Sequence, residues 1–131
     1  MDKKLKDSLS KIKLLICDID GVLTDGSFIK STSGEELRSF NALDGVGFVV
    51  LRLLDLNVKT AWITGRESLT TTQRAEELQI DDVYNGVIRK IDAYIELKKK
   101  YGLSDSEICF IGDDIIAVSY THLRAHETLL D

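Results

Sequence analysis

The chain has 131 residues, 44% of them hydrophobic and 30% charged, a balance that suits one soluble globular domain with its own core. Its formal net charge of −5 and its short basic runs, Lys3-Lys4 and Lys98-Lys99-Lys100, argue against a general nucleic-acid binder, which needs clustered cations. The first residues are charged at almost every second place, without the apolar run of a secretory leader, and no apolar stretch approaches the length of a membrane span, so a cytoplasmic protein is expected.

Leu5, Leu9 and Ile12 recur at helical spacing and predict a short amphipathic helix at the start. KLLICDIDG follows, an apolar run without alternation that suits a strand buried on both faces. SFIKSTSGEELRSF predicts a hairpin with Ser33-Gly34 at its turn. After Asp44-Gly45, VGFVVLRLLDL predicts a helix with a wide apolar face, and VKTAWITG a second buried strand closed by Gly65. Residues 67–78 are helical in composition, and VYNG is a short strand with its exit turn. Ile91, Tyr94, Ile95 and Leu97 give residues 88–101 the apolar face of a helix, with Gly102 as its C-terminal stop. EICFIGDD is a further strand that ends in acids. Cys17 and Cys109 each lie inside such an apolar run, which predicts two buried thiols in a reducing cytosol rather than a disulfide.

Strands alternating with helices predict an α/β fold: a Rossmann-like parallel sheet flanked by helices, joined by right-handed crossovers, with a small β-hairpin flap. Ligands bind such sheets outside the carboxyl ends of the strands, and those ends carry Asp18, Thr64, Gly86 and Asp113. Asp18 and Asp20 leave the first strand two residues apart, and Asp113 and Asp114 leave the last. Crowded carboxylates repel one another, and a hard divalent cation removes that cost. Mg²⁺ is expected, because it takes a few protein oxygens and keeps water and substrate phosphate among its ligands. Neither Cys nor His is placed for a zinc site. A carboxylate can also attack phosphorus as a nucleophile, with a metal and a lysine such as Lys90 offsetting the repulsion between two anions. Thr64 can donate a hydrogen bond to a phosphoryl oxygen.

These residues form an ordered pattern. Asp18-Ile19-Asp20-Gly21-Val22-Leu23-Thr24-Asp25 resembles the first motif of haloacid dehalogenase-type phosphatases. Ile63-Thr64-Gly65-Arg66 resembles the second, Lys90 after Gly86 the third, and Gly112-Asp113-Asp114 the fourth. The short hairpin before GEELRSFNALDG, in place of a larger cap domain, is similar to the 3-deoxy-D-manno-octulosonate (KDO) 8-phosphate phosphatases. The resemblance implies that Asp18 attacks phosphorus and that Asp20 protonates the leaving oxygen and then activates water. It implies Mg²⁺ on Asp18, the backbone carbonyl of Asp20 and Asp113, with Thr64 and Lys90 on the phosphoryl oxygens. It further implies substrate contacts from Asp20, Lys90 and the loop Asn41-Ala42-Leu43-Asp44-Gly45, and from Arg66 and Arg74 toward the sugar acid. A plain surface helix charge stays open as the reading of Arg74. The small caps of the family are completed by neighbouring subunits, which implies a homotetramer built around residues 27–40. The expected partner is a small sugar-acid phosphate, with no nucleic acid and no membrane.

The resemblance covers residues 12–116 and stops after Ile116, where Ala117 stands in place of a further Asp of the family pattern. Residues 1–117 are therefore expected to be an incomplete phosphatase core whose C-terminal part is missing. The chain ends AVSYTHLRAHETLLD, and residues 118–131 of it resemble translated sequencing-adapter sequence. Without the missing part, this chain is expected to fold poorly or turn over weakly. His122 and His126, four apart in that tail, carry no acid motif of a metal site. Three other readings compete. A nonulosonate 9-phosphate phosphatase is the nearest, although Arg66 favours the octulosonate, since the resembling nonulosonate enzymes carry Glu there. A signalling receiver domain would place its phosphorylated Asp after a later strand. A non-catalytic phosphatase-like scaffold is opposed by the intact DIDG and Lys90, while Ala117 keeps it open.

Overall fold

The computed structural model describes residues 2–112. Asp113, Asp114, Ala117, the two histidines and the tail lie outside the described residues. Helix α1 (Lys3–Ser10) is capped by Asp2, whose carboxylate accepts from the Lys4 amide at 3.1 Å, and none of its residues is buried. Strand β1 (Leu14–Asp18) follows, then a hairpin of β2 (Ile29–Lys30) and β3 (Glu36–Leu37). The rest alternates: α2 (Ala42–Leu53), β4 (Lys59–Ile63), α3 (Leu69–Leu78), β5 (Asp82–Tyr84), α4 (Lys90–Tyr101) and β6 (Ile108–Ile111). Helix α2 begins before Asp44-Gly45 rather than after it. Asn41 is the cause: its side-chain oxygen accepts from the Leu43 amide at 2.7 Å and satisfies one of the unpaired N–H groups of the first turn. At the far end of α4, Gly102 adopts the left-handed conformation (φ 62°) that closes the helix.

The four longer strands form one parallel sheet in the order β5-β4-β1-β6. The hairpin strands pair separately and antiparallel, Ile29 opposite Leu37 and Lys30 opposite Glu36. Strand β1 is hydrogen-bonded on both edges, which explains its continuous apolar run: Leu14 and Ile16 are fully buried. The two faces are covered by different helices. On one face Leu14, Ile16, Ala61, Ile63 and Ile108 pack with Ala93, Tyr94 and Leu97 of α4. On the other, Cys17, Ile19 and Trp62 pack with Phe48 of α2 and with Ala75 and Leu78 of α3. Trp62 centres this second layer, stacked on Phe40 at 5.8 Å and meeting the edge of Phe48 at 5.6 Å. Each large side chain buried this way stabilises the fold by about 1.5–3 kcal/mol before the entropy of ordering is subtracted.

From β1 the chain passes to β4 and β5 on one side, and α4 then carries it back to β6 on the other side of β1. The strand order reverses between β1 and β6. Asp18, the last residue of β1, stands at the crevice this reversal opens.

Candidate active site

Asp18 has no exposed surface, and Lys90 is 6% exposed. The Lys90 ammonium lies 3.1 Å from Asp18 Oδ1. Lys90 is the first residue of α4, so a strand end and a helix start meet here and bring opposite charges together inside the protein. Desolvating such a pair is expensive, and its attraction roughly offsets that cost. A pair of this kind at a crevice is better explained by chemistry than by stability.

Beyond Asp18 the chain folds back on itself. The amides of Val22, Leu23 and Thr24 all donate to the Ile19 carbonyl, and the buried Thr24 hydroxyl accepts from the Gly21 and Gly26 amides. This tight loop holds Asp20 half-buried above the strand end. Arg38 Nε donates to Asp20 Oδ1 at 2.7 Å, and the Thr64 hydroxyl donates to Asp20 Oδ2 at 3.3 Å. Thr64 is 3% exposed and sits just past β4. Its amide donates to the Tyr84 carbonyl, its carbonyl accepts from Val87, and its hydroxyl accepts from the Arg66 amide. Asp18, Lys90, Asp20 and Thr64 thus gather around the carboxyl ends of β1 and β4.

The remaining residues predicted from sequence lie around this cluster in different states of engagement. Arg66 forms an ion pair with Glu36 of the hairpin and lies 4.1 Å over the Phe28 ring. Arg66 holds the Glu36 carboxyl below its usual range, with Arg38 adding to the effect, and Glu36 in turn pushes Arg66 up. Arg74 pairs with Glu77 at 3.1 Å and packs against α2, where a Cβ at Gly45 would collide with its guanidinium. The oxygen of Asn41 is committed to capping α2. Ala42, Leu43 and Asp44 are exposed, Leu43 by 77%. Asn41 and Asp44 line a cleft of about 410 Å³ whose opposite wall is Val22, Leu23, Thr24 and Asp25. A second cavity of about 530 Å³ separates Glu35 and Glu36 of the hairpin from Ser68, Thr72 and Asn85. Asp113 lies outside the described residues. Cys17, next to Asp18, is no rival nucleophile: burial, with Cys109 and Asp18 adding, pushes its thiol up to about 12.

No family model matches the chain. Over 107 residues it is 41% identical to the 3-deoxy-D-manno-octulosonate 8-phosphate phosphatase KdsC of Yersinia pestis, which covers 82% of this chain and 56% of that protein. A crystal structure of the 3-deoxy-D-manno-octulosonate 8-phosphate phosphatase from Moraxella catarrhalis, in complex with magnesium ion, phosphate ion and KDO, matches with a TM-score of 0.84 and 33% identity. That match covers 92% of this chain and 68% of the other. The chain belongs to the KDO 8-phosphate phosphatase family of the haloacid dehalogenase superfamily. The cobalt-bound form of the Haemophilus influenzae family member also matches, with a TM-score of 0.80 at 33% identity, covering 88% of this chain and 66% of that one. The chain spans just over half the length of the curated relatives it matches, 56% and 55% for the Yersinia pestis and Salmonella typhi proteins.

The described part of this fold offers a cation a hard oxygen donor at the crevice, the buried Asp18 carboxylate. Among the described residues no three His, Cys, Asp or Glu side chains come together. Few hard donors and no closed cage fit Mg²⁺, which retains water and phosphate ligands, better than they fit zinc.

Two residues of the cluster escaped the reading of the sequence. The sequence places Arg38 and Glu36 in a hairpin, yet the Arg38 side chain is 1% exposed and touches Asp20. The available signal was their spacing. Residues two apart along extended chain share a face, and here that face turns toward Asp20 and Arg66.

Proposed function

We propose that this chain carries the catalytic machinery of an Mg²⁺-dependent phosphomonoester hydrolase acting through an aspartyl-phosphate on KDO 8-phosphate, as in lipopolysaccharide sugar synthesis. The observation that carries this reading is the buried Asp18–Lys90 pair at 3.1 Å, placed at the strand-order reversal of the sheet. Asp18 attacks phosphorus, and the bond between phosphorus and the sugar oxygen breaks as the carboxylate–phosphorus bond forms. Asp20 gives its proton to the leaving oxygen, then takes one from the water that attacks the aspartyl-phosphate. Inorganic phosphate leaves, and both carboxyl groups return to their starting states. Lys90 and Thr64 hold the phosphoryl oxygens. Mg²⁺ on Asp18, the Asp20 carbonyl and Asp113 would neutralise the charge of the phosphoryl group.

The cleft lined by Asn41 and Asp44 supports a sugar-acid site, to which the rest of the loop, Ala42, Leu43 and Gly45, would add contacts, with Arg66 and Arg74 as the cations for the carboxylate. Homotetramer assembly through the hairpin is supported by Phe28, Ile29 and Leu37, which are 40%, 67% and 41% exposed. A cytoplasmic location accords with the described helices, none of which is long and apolar enough to cross a membrane.

The test is inorganic phosphate release from KDO 8-phosphate and, in parallel, from a nonulosonate 9-phosphate, with Mg²⁺ present. Acid-quenched enzyme should yield a peptide phosphorylated at Asp18, and Asp18→Asn should abolish both phosphate and adduct. Equal turnover by a folded Asp18→Asn protein overturns the reading, and preference for the nonulosonate moves the substrate to that class.

A further inference from the structure

The hairpin contributes one side chain that is almost wholly buried and charged, and it is aimed at Asp20. Arg38 follows β3 directly, and its side chain is 1% exposed although most of the hairpin faces solvent. Each of its three guanidinium nitrogens donates: Nε to Asp20 Oδ1 at 2.7 Å, Nη2 to Glu36 Oε2 at 3.4 Å and Nη1 to the Leu37 carbonyl at 3.5 Å. Glu36 is held from the other side by Arg66, and the Phe28 ring lies 5.1 Å from the Arg38 guanidinium carbon and 4.1 Å from that of Arg66. A rigid brace therefore runs from the loop after β4, through the hairpin, to one oxygen of Asp20.

That oxygen is distinguishable from its twin. A guanidinium has donors and no acceptor, so the Asp20 oxygen facing Arg38 can only accept. Oδ2 faces the Thr64 hydroxyl, which can donate or accept, and Thr64 is the residue assigned to the phosphoryl group. We propose that Arg38 is a positioning residue that fixes the rotamer of Asp20, so that Oδ2 alone faces the reacting oxygen and exchanges protons with leaving group and water. The proposal rests on the phosphatase reading above and adds to it a dependence of the acid–base step on the hairpin. Arg38 touches no reacting atom. It acts by denying Asp20 its other orientations, which matters because proton transfer requires the carboxyl oxygen within hydrogen-bond reach of the reacting oxygen.

The experiment compares bursts of leaving-group release under single-turnover conditions. A sugar phosphate needs its leaving oxygen protonated, whereas 4-nitrophenyl phosphate has a leaving group stable as an anion. In Arg38→Met the sugar-phosphate burst is expected to fall about 100-fold, the scale of a lost general acid, and the nitrophenyl burst far less. Arg38→Lys, which keeps one donor for Oδ1, should recover most of the loss. Equal falls on both substrates in Arg38→Met, or no fall, overturn the proposal, and Arg38→Gln, too short to hold Oδ1 in the same geometry, decides by the same ratio if Arg38→Met does not fold. A second measurement stands apart from turnover: the Arg38 Nε–H proton resonance of the wild-type chain should exchange slowly with solvent and move in Asp20→Asn. If the wild type releases neither leaving group, the phosphatase reading fails while this resonance still reports the clamp. A fast-exchanging Nε–H indifferent to Asp20→Asn removes the clamp itself.

Discussion

Lys90 and Asp18 face each other at 3.1 Å with side chains 7% and 1% exposed, joining the first turn of α4 to the last residue of β1. A fold that needed only stability would place apolar groups there, since a buried ion pair rarely outperforms them. The pair ties the site to the structure's energetics. Lys90→Met leaves the Asp18 charge buried without that partner and should destabilise the chain by about 3–5 kcal/mol. Asp18→Asn should cost a comparable amount, and the double variant much less than the sum. Urea unfolding of the four proteins measures the coupling. Additive losses would show that the two groups do not sense each other.

The brace on the hairpin should be sensitive to acid. Arg66 holds the Glu36 carboxyl below its ordinary 4.5, so folding binds fewer protons at this group than the unfolded chain does. The stabilisation is then fully present above pH 4.5 and is lost as pH falls through the lower folded value. Glu36→Gln should be less stable than wild type at neutral pH, and the gap should close under acid. Thermal midpoints of both proteins from pH 7 down to about pH 3 follow it. A gap that stays constant with pH would mean that Glu36 gains nothing from Arg66.

Much of the fold is legible in the sequence. Leu14 to Cys17, Ala61 to Ile63 and Ile108 to Ile111 are apolar runs without alternation, and runs of that kind are buried parallel strands wherever helices separate them. The candidate chemistry was legible for the same reason: strand ends in such sheets are where ligands bind, and Asp18 and Thr64 stand there. The contact of Arg38 with Asp20 was not legible, because it joins residues 18 apart through a hairpin whose tilt no local pattern encodes. Gly45 and Gly47 weaken the helical signal at the start of α2, whereas the Asn41 cap and the packing of Phe48 on Trp62 override it. Arg74, open in the sequence, lies with its guanidinium against Gly45 and pairs with Glu77.

That packing gives a further expectation. Gly45→Ala puts a methyl group where the Arg74 guanidinium now lies, and the flexible end of Arg74 is the atom group that must move. Ala in place of Gly inside a helix favours folding by about 1 kcal/mol, so the variant should remain folded. If Arg74 serves the sugar-acid carboxylate, KM should rise with kcat little changed, the pattern of lost uniform binding. Unchanged KM alongside normal stability would leave Arg74 a purely structural side chain.

Thr24 offers the sharpest check on the loop that carries Asp20. Its hydroxyl accepts from the Gly21 amide at 3.4 Å and the Gly26 amide at 3.2 Å and donates to the Ile19 carbonyl at 3.4 Å, all from a residue 9% exposed. Valine has nearly the same shape and no hydroxyl, so Thr24→Val keeps the packing and removes those bonds. Two loop amides then lose their acceptor, at a cost of about 1–3 kcal/mol, whereas Thr24→Ser keeps the hydroxyl and should lose only the smaller contribution of a methyl group. The loss should fall unevenly: amide hydrogen exchange ought to quicken at Gly21 and Gly26 well before it quickens in β1. Uniform loosening across the sheet would mean that Thr24 supports the core and not the loop. A local effect would tie the placement of Asp20 to the Thr24 hydroxyl.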